Sequence, residues 1–351
     1  MGADKAIPTV FDVAREAGVS RGTVDRVIHR RGRYSADTEA RVREAIQRLG
    51  YSANLNAAKL SSRKVRRIAC LVPAFQEGEY WDYINRGFRE EARDSGFNLD
   101  LEMFLYSQTD VDSFLKQSAR LLESAPDGVI LNAVFKEEVT SFASVLKQKG
   151  IPFAFLDNKV DGQDNVLYVG VDSHRCGELG AFLLLQSDEP DEILLVRILR
   201  DRHHKGDPNR ERRQGFLDYV QEHHPSTLVH TVFIDPEKPD SIAPALENFV
   251  AGHPGLRHLA TTNSRIHLIV PFLASHPEIR AVGFDNLEKN IAALRSGTVD
   301  FLVTHDIAGT ARECLRLFAE SLSRSEPPSL RNHYIHADIL HRLNLDYYPE
   351  E

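Results

Sequence analysis

Apolar and polar positions alternate at a helical period in three short bursts over the first fifty residues. Val10, Val13, Ala14 and Ala17 lie on one helix face, Thr9 stands where a cap belongs, and Gly18 stands where a helix stops. Val24, Val27 and Ile28 repeat the spacing after Ser20, which predicts a second helix from Arg21 to about His29. Ala17-Gly18-Val19 between them has the length of the turn in a helix-turn-helix pair. After the basic loop Arg30-Arg31-Gly32-Arg33, Ser35 opens a third helix to Leu49 that buries Ala40, Val42, Ala45, Ile46 and Leu49. Residues 52–66 are polar, with a helix-compatible stretch at 54–60, and read as a linker able to order on binding.

Beyond Arg67 the texture changes. Short apolar runs at 68–72, 99–105, 128–131, 153–156, 168–171, 193–198, 228–234, 258–261, 281–284 and 301–303 alternate with helix-period stretches at 81–95, 111–123, 137–150, 174–186, 210–223, 240–251, 266–275, 287–296 and 308–323. Such alternation predicts parallel sheets with helices on both faces, and about ten strands fit two lobes better than one sheet. Glu326-Pro327-Pro328-Ser329 interrupts the pattern, and the tail at 334–348 is expected to add an edge element. Ligands of such sheets bind beyond the carboxyl ends of strands, so residues just after each strand are the candidates for chemistry.

Charge sharpens the division. The chain of 351 residues carries a net −8, but residues 1–66 hold 14 Lys and Arg against 7 Asp and Glu, leaving 29 against 44 for the rest. A basic module on an acidic body is what a protein shows when one end meets a polyanion. No apolar run approaches the roughly 18–20 residues that span a bilayer, and the start of the chain, with Asp4, Lys5 and Pro8, lacks the pattern of an export signal. Cys70, Cys176 and Cys314 are too widely spaced for a metal or redox pair and read as reduced thiols. Neither a G-x-G-x-x-G nor a G-x-x-x-x-G-K-[ST] loop is present, and no nucleophile elbow follows a strand, which argues against an enzyme.

The run from Thr9 to Ile28, TVFDVAREAGVSRGTVDRVI, resembles the DNA-binding headpiece of the lac/galactose repressor family. The likeness continues through Ser35-Ala36-Asp37-Thr38, Leu49-Gly50-Tyr51 and Asn54, Ala57 and Leu60, where the family has its third helix and hinge helix. Arg212-Arg213-Gln214-Gly215-Phe216, Asn263 and Gly283-Phe284-Asp285 look like the family's sensor motifs, closest to the branch related to ribose-type periplasmic binding proteins. The resemblance implies a small all-α helix-turn-helix headpiece on an α/β body of two periplasmic-binding-protein-like lobes with doubly wound parallel sheets. The expected boundaries are a headpiece at 1–52, a hinge at 53–66 and a sensor at 67–351. Its first lobe takes 67–174 and 304–330, and its second 175–303 and 331–351.

Residues opening a second helix after such a turn enter the major groove, which assigns base contacts to Arg21, Gly22 and Arg26. Thr9, Ser20 and Thr23 are expected on phosphates, as hydroxyls at helix N-termini are. Asp25, His29 and Ala53 depart from the family pattern, which leaves base preference open; Asp25 reads either as an acceptor for a cytosine amino group or, the favoured reading, as an ion-pair partner of Arg21 or Arg26. Leu60, with Asn54 and Ala57 on the hinge, matches the family's minor-groove leucine, whose alternative is packing of hinge helix on hinge helix.

For the ligand, the resemblance puts Trp81 against an apolar sugar face, with Tyr80 and Phe75 as weaker alternatives. Arg212, Asp285, Asn263 and His305 are expected to hold polar groups. Phe135 and Lys136 follow an apolar run, where the lysine suits a phosphate or carboxylate. Asp157 and Asp172 read equally as hinge or capping residues. His203-His204 and His223-His224 lack metal-ligand spacing, so neither metal nor cofactor is expected. The implied protein is a cytoplasmic homodimer on double-stranded operator DNA, a repressor switched by a sugar or sugar derivative and bound to no membrane. A phosphorylated metabolite, a co-repressor, a partner protein, an activator role or a non-catalytic solute-binding protein are the alternatives.

Overall fold

A computed structural model describes residues 10–28, 34–49, 65–186, 191–199, 209–323 and 332–348. The chain divides into two compact units, one of Met1–Val65 with Gly96–Asn98 and one of Arg66–Ser95 with Leu99–Glu351.

In the first unit, α1 (Val10–Ala17), α2 (Arg21–Ile28) and α3 (Ala36–Leu49) enclose one small core. Val13, Ala14, Ala17, Val24, Val27, Val42 and Ala45 are buried in it, with Val19, Tyr34, Ile46 and Leu49 packed at its margin. Gly18 adopts φ +62° between α1 and α2, a left-handed conformation that glycine adopts without steric cost. Ser20 Oγ accepts from the Thr23 N–H at 3.2 Å, and Ser35 Oγ accepts from the Thr38 N–H at 3.1 Å, so both serines cap the helices that follow. Arg48 joins α3 to α1 through Glu16 at 2.8 Å. Gly18-Val19-Ser20-Arg21-Gly22 spells the letters of a nucleophile elbow, yet Ser20 sits between two helices and not on a strand-to-helix turn.

The second unit holds two six-stranded sheets. The first has the order β11-β5-β4-β3-β1-β2, from β1 (Arg66–Pro73), β2 (Leu99–Tyr106), β3 (Gly128–Leu131), β4 (Phe153–Leu156), β5 (Leu167–Gly170) and β11 (Asn332–Tyr334). The second has the order β12-β10-β9-β8-β6-β7, from β6 (Glu192–Ile198), β7 (Leu228–Ile234), β8 (His258–Thr261), β9 (Arg280–Phe284), β10 (Phe301–Thr304) and β12 (Asp338–Leu340). All neighbours are parallel except β12, which runs antiparallel to β10. The two orders are the same, so the lobes repeat one doubly wound design.

Burial explains the strand sequences. Strands β3, β4, β5 and β8 are inaccessible at every residue because helices cover both faces, whereas edge strand β7 exposes part of its length. The first lobe carries α4 (Tyr80–Asp94), α5 (Val111–Glu123), α6 (Lys136–Gln148) and α12 (Ile307–Leu322); the second carries α7 (Ser173–Leu185), α8 (Arg210–His223), α9 (Ile242–Ala251), α10 (Val270–Ser275) and α11 (Glu288–Arg295). The chain crosses between lobes after β5, after β10 and after β11. The final crossing differs from the expected boundary at 330/331, because Asn332–Tyr334 pairs in parallel with Tyr168–Gly170 and so extends the first sheet.

Glycines permit two close helix contacts. A Cβ at Gly87 of α4 would lie 2.1 Å from the Ala308 carbonyl oxygen of α12. Cβ atoms at Gly177 of α7 and Gly215 of α8 would lie 1.8 Å from the Arg212 carbonyl and 1.9 Å from the His174 carbonyl, respectively. Among the described residues no helix is long and apolar enough to cross a membrane.

Candidate functional site

The two lobes face each other across a cleft of about 1050 Å³. Its walls come from the residues that immediately follow strands: Asn132 after β3, Asp157 after β4, Asn263 just beyond β8 and Asp285 after β9. Tyr80 and Trp81 open α4, and Arg212 lies in the first turn of α8. The motif around Arg212 has a local explanation. Gly215 lets α8 touch α7, Phe216 is fully buried in the second lobe's core, and Arg212, one turn earlier, is thereby delivered into the cleft.

Arg212 is buried beneath the cleft. Its guanidinium lies 4.6 Å above the Phe284 ring, donates to the Thr262 carbonyl at 3.3 Å and stands 3.6 Å from Asp285 Oδ2. Burial opposes its charge, but Asp285 and, further off, Asp157 outweigh this and hold the guanidinium above its ordinary pKa. Asp285 is 3% exposed, and both it and Asp157 adopt φ +67°. A left-handed conformation at a non-glycine residue costs of order 1–3 kcal/mol and clusters at binding sites.

On the facing wall, the Tyr80 hydroxyl donates to Asp157 Oδ1 at 3.0 Å. Asn132 and Asn158 donate to Asp157 Oδ2 at 3.3 and 3.0 Å. Burial nonetheless pushes the Asp157 carboxyl up to about 6, against the pull of Arg212 and the Tyr80 hydrogen bond. Burial, reinforced by Asp157 and Asp285, also holds the Tyr80 phenol well above its usual value. Trp81 is 7% exposed and edge-on to Tyr80 at 5.6 Å between centroids, which leaves it available as an apolar wall.

Three polar atoms in this region are buried without a hydrogen-bond partner among the described residues: Asn132 Oδ1, Arg212 Nε and Asp285 Oδ1. Folded proteins rarely leave such atoms unpaired, since each costs about 1–3 kcal/mol, so their convergence on one cleft marks a place for a polar ligand.

The structure thus brings Trp81, Arg212, Asn263 and Asp285 to the cleft. Asn263 is partly committed, donating to the Ile198 carbonyl at 2.7 Å and accepting from the Arg265 N–H at 3.2 Å. His305 is 2% exposed and lies behind Tyr80, its Nε2 3.4 Å from the hydroxyl, with burial holding the imidazole down at about 4. It backs a cleft residue and does not line the cleft. Phe135 belongs to the first lobe's core, with its ring centroid 5.8 Å from those of Tyr106 and Phe114, which corrects the ligand role expected of it. Phe75 is half-buried and outside the cleft lining. Lys136 pairs with Glu211 across the lobes at 3.1 Å. Asp172 caps α7, accepting from the Arg175 N–H at 3.1 Å, while Asp157 is a wall residue. Asn132 was not anticipated, although its position directly after an apolar run carries the signal.

In the headpiece, Ser20, Arg21, Gly22 and Arg26 are exposed and Thr23 is half-buried. Ser20 and Thr23 hydroxyls lie 2.9 Å apart, and Arg26 folds back along α2 to the Gly22 carbonyl and the Thr23 hydroxyl, both at 3.1 Å. Thr9, His29, Asn54, Ala57 and Leu60, the loop at 30–33 and His203-His204 lie outside the described residues, as does the side chain of Asp25.

Residues 9–54 match the bacterial regulatory proteins of the lacI family, and residues 68–326 match the periplasmic binding protein domain. The chain is 28% identical over 221 residues to the HTH-type transcriptional regulator DegA of Bacillus subtilis, covering 61% of each. It is 27% identical over 180 residues to catabolite control protein A of Staphylococcus epidermidis, covering 51% of this chain and 52% of that one. The match thus spans about half to three-fifths of these curated relatives. A solved Bacteroides fragilis structure described as a LacI transcriptional regulator superposes with TM-score 0.74 at 28% identity, over 82% of this chain and all of that one. GanP, a glucose-galactose binding protein from Geobacillus stearothermophilus, shares the fold with TM-score 0.68 at 18% identity, over 81% of this chain and 99% of that one. With a helix-turn-helix unit at its start and a periplasmic binding protein domain as its body, the chain belongs to the lacI family of bacterial regulatory proteins.

Proposed function

We propose that this chain is a sequence-specific DNA-binding transcription regulator, a repressor, whose operator affinity is set by an uncharged, polyhydroxylated ligand of the sugar class in the cleft. The observation that carries the ligand reading is the trio of buried atoms on Asn132, Arg212 and Asp285 with no hydrogen-bond partner among the described residues, beside the apolar wall of Trp81. Hydroxyl groups donate and accept at once, so one sugar can meet two acceptors and a donor while its C–H face covers the indole.

A phosphorylated ligand is disfavoured. Around Arg212 the cleft wall sets two carboxylates, Asp157 and Asp285, beside one guanidinium, and Lys136 is engaged by Glu211. In the proposed mechanism two headpieces of a homodimer occupy a pseudo-palindromic site, and ligand selects a lobe geometry with weaker affinity for it. The inter-lobe pairs Lys136–Glu211 and Arg265–Glu79 (3.6 Å) are partly solvated, so each is worth little and neither locks the geometry.

Thermal-shift measurements against neutral monosaccharides and sugar phosphates test the ligand class, because a molecule that binds only the folded state raises its melting temperature. A neutral sugar is expected to raise it in the wild type and not in Asp285→Asn. A shift confined to sugar phosphates overturns the assignment of class.

A further inference from the structure

We propose that Glu192, His230 and His253 form a binding site for a divalent metal ion of the zinc class in the second lobe, separate from the cleft. Glu192 is the first residue of β6, and His230 is the third residue of the adjacent β7. The pairing Glu192↔Leu228 and Leu194↔His230 puts both side chains on the same face of the sheet. His253 lies two residues beyond α9, in a turn fixed by its N–H to the Val250 carbonyl at 2.9 Å and by the Leu256 N–H to its own carbonyl at 3.0 Å. These positions are at the amino end of β6, whereas the cleft meets its carboxyl end at Ile198.

One potential ligand atom from each residue converges, all within 4.8 Å of one another. Glu192 Oε2 lies 2.6 Å from His253 Nδ1 and 3.2 Å from His230 Nε2. Ligand atoms around tetrahedral zinc stand about 3.3 Å apart, given bonds of roughly 2.0–2.1 Å. The second distance fits already, and the first needs an opening of under an ångström. His230 Nε2 is itself buried and has no hydrogen-bond partner among the described residues, since its approach to Glu192 lacks hydrogen-bond geometry.

The rings are held from the outside. Phe249 stacks on His253 at 4.2 Å with an interplanar angle of 6°, and packs against His230 at 5.4 Å. Two imidazoles and a carboxylate are the donor set of a zinc site with one open coordination position. Zinc takes neutral imidazoles and an ionised carboxylate, so affinity falls as pH falls. The three residues are 38 and 23 positions apart in the chain, which is why no local spacing signals the site.

The test is isothermal titration of the tag-free, chelator-treated, full-length protein with ZnCl2, beside His230→Gln, His253→Gln and the double variant. Circular dichroism and melting curves check that each variant is folded. One zinc per chain is expected in the wild type, weakened about tenfold or more by each single change and abolished in the double variant. Zinc is also expected to raise the wild-type melting temperature without altering its response to cleft ligands. Absence of stoichiometric binding identifies the trio as a hydrogen-bonded cluster only and overturns the proposal. Unchanged binding in the folded double variant overturns it equally. Glu192→Gln gives an independent check, because it preserves volume and must still weaken binding.

Discussion

Asp157 and Asp285 occupy the same station in the two lobes. Each follows the fourth strand of its lobe, adopts φ +67° and donates its backbone N–H to the next strand, at 2.9 Å to Val169 and 3.0 Å to Val303. Their partners then diverge. Asp157 is hydrogen-bonded by Tyr80, Asn132 and Asn158, while Asp285 has Arg212 at 3.6 Å and one oxygen with no hydrogen-bond partner among the described residues. One repeated backbone design therefore holds a hydrogen-bonded carboxylate in one lobe and a less satisfied one in the other, and both line the cleft.

Asp157 and His305 give the ligand-free protein opposite pH dependences. Asp157 is raised from 3.8 to about 6 by burial, so its contribution to stability is full below pH 3.8 and lost as pH rises through 6. His305 is lowered from 6.5 to about 4, so its contribution is present above pH 6.5 and lost as pH falls towards 4. His305→Gln is therefore expected to gain on the wild type by up to about 3 kcal/mol as pH falls from 6.5 to 4. Asp157→Asn is expected to gain by a similar amount as pH rises from 4 to 7. Urea denaturation at four pH values checks both signs, and a pH-independent difference for either variant removes the corresponding claim.

Gly215→Ala places a Cβ 1.9 Å from a backbone carbonyl that cannot swing aside. The α7–α8 contact must open, at an expected cost of about 1–3 kcal/mol or more. Because α8 carries Arg212, ligand affinity is expected to fall further than stability alone accounts for. Melting curves with and without ligand separate the two effects.

Arg212→Ala is expected to abolish the thermal shift by cleft ligands and to destabilise the body by about 3–5 kcal/mol, since it leaves the Asp285 carboxylate buried and unpaired. Adding Asp285→Asn to it should recover part of that loss, without recovering ligand binding. A ligand response that survives in Arg212→Ala removes this residue from the site.

Much of this architecture was legible in the sequence for physical reasons. Continuous apolar runs such as Gly128–Leu131 become strands covered on both faces, and Val13, Ala14 and Ala17 of α1 become a buried helix face. Arg212, Asn263 and Asp285 were expected from the family resemblance, and all three stand on the cleft wall. Phe135 was misread because nothing in the run Asn132-Ala133-Val134-Phe135 says which side chain turns inward. The aromatic cluster of Tyr106, Phe114 and Phe142 decides that, and it is assembled from other elements. The same limit concealed the burial of His305 behind Tyr80 and the convergence of Glu192, His230 and His253.

Arg21 is exposed at the start of α2. In the proposed DNA complex it reads a base edge in the major groove, so Arg21→Ala is expected to cost about 1–3 kcal/mol at its preferred site and to relax preference at one base pair. Equal losses on selected and random duplexes would show instead that it contacts phosphate only.

Occupancy of the cleft is proposed to change affinity for a specific DNA sequence. Fluorescence anisotropy of the full-length protein on a duplex selected from a random library, with and without a ligand identified by thermal shift, tests it most directly. Sequence-selective binding is expected to weaken at least tenfold with ligand in the wild type, a difference of about 1.4 kcal/mol, with no ligand effect in Arg212→Ala. Indifference of the wild-type protein to DNA sequence, or to a ligand known to occupy the cleft, would contradict it.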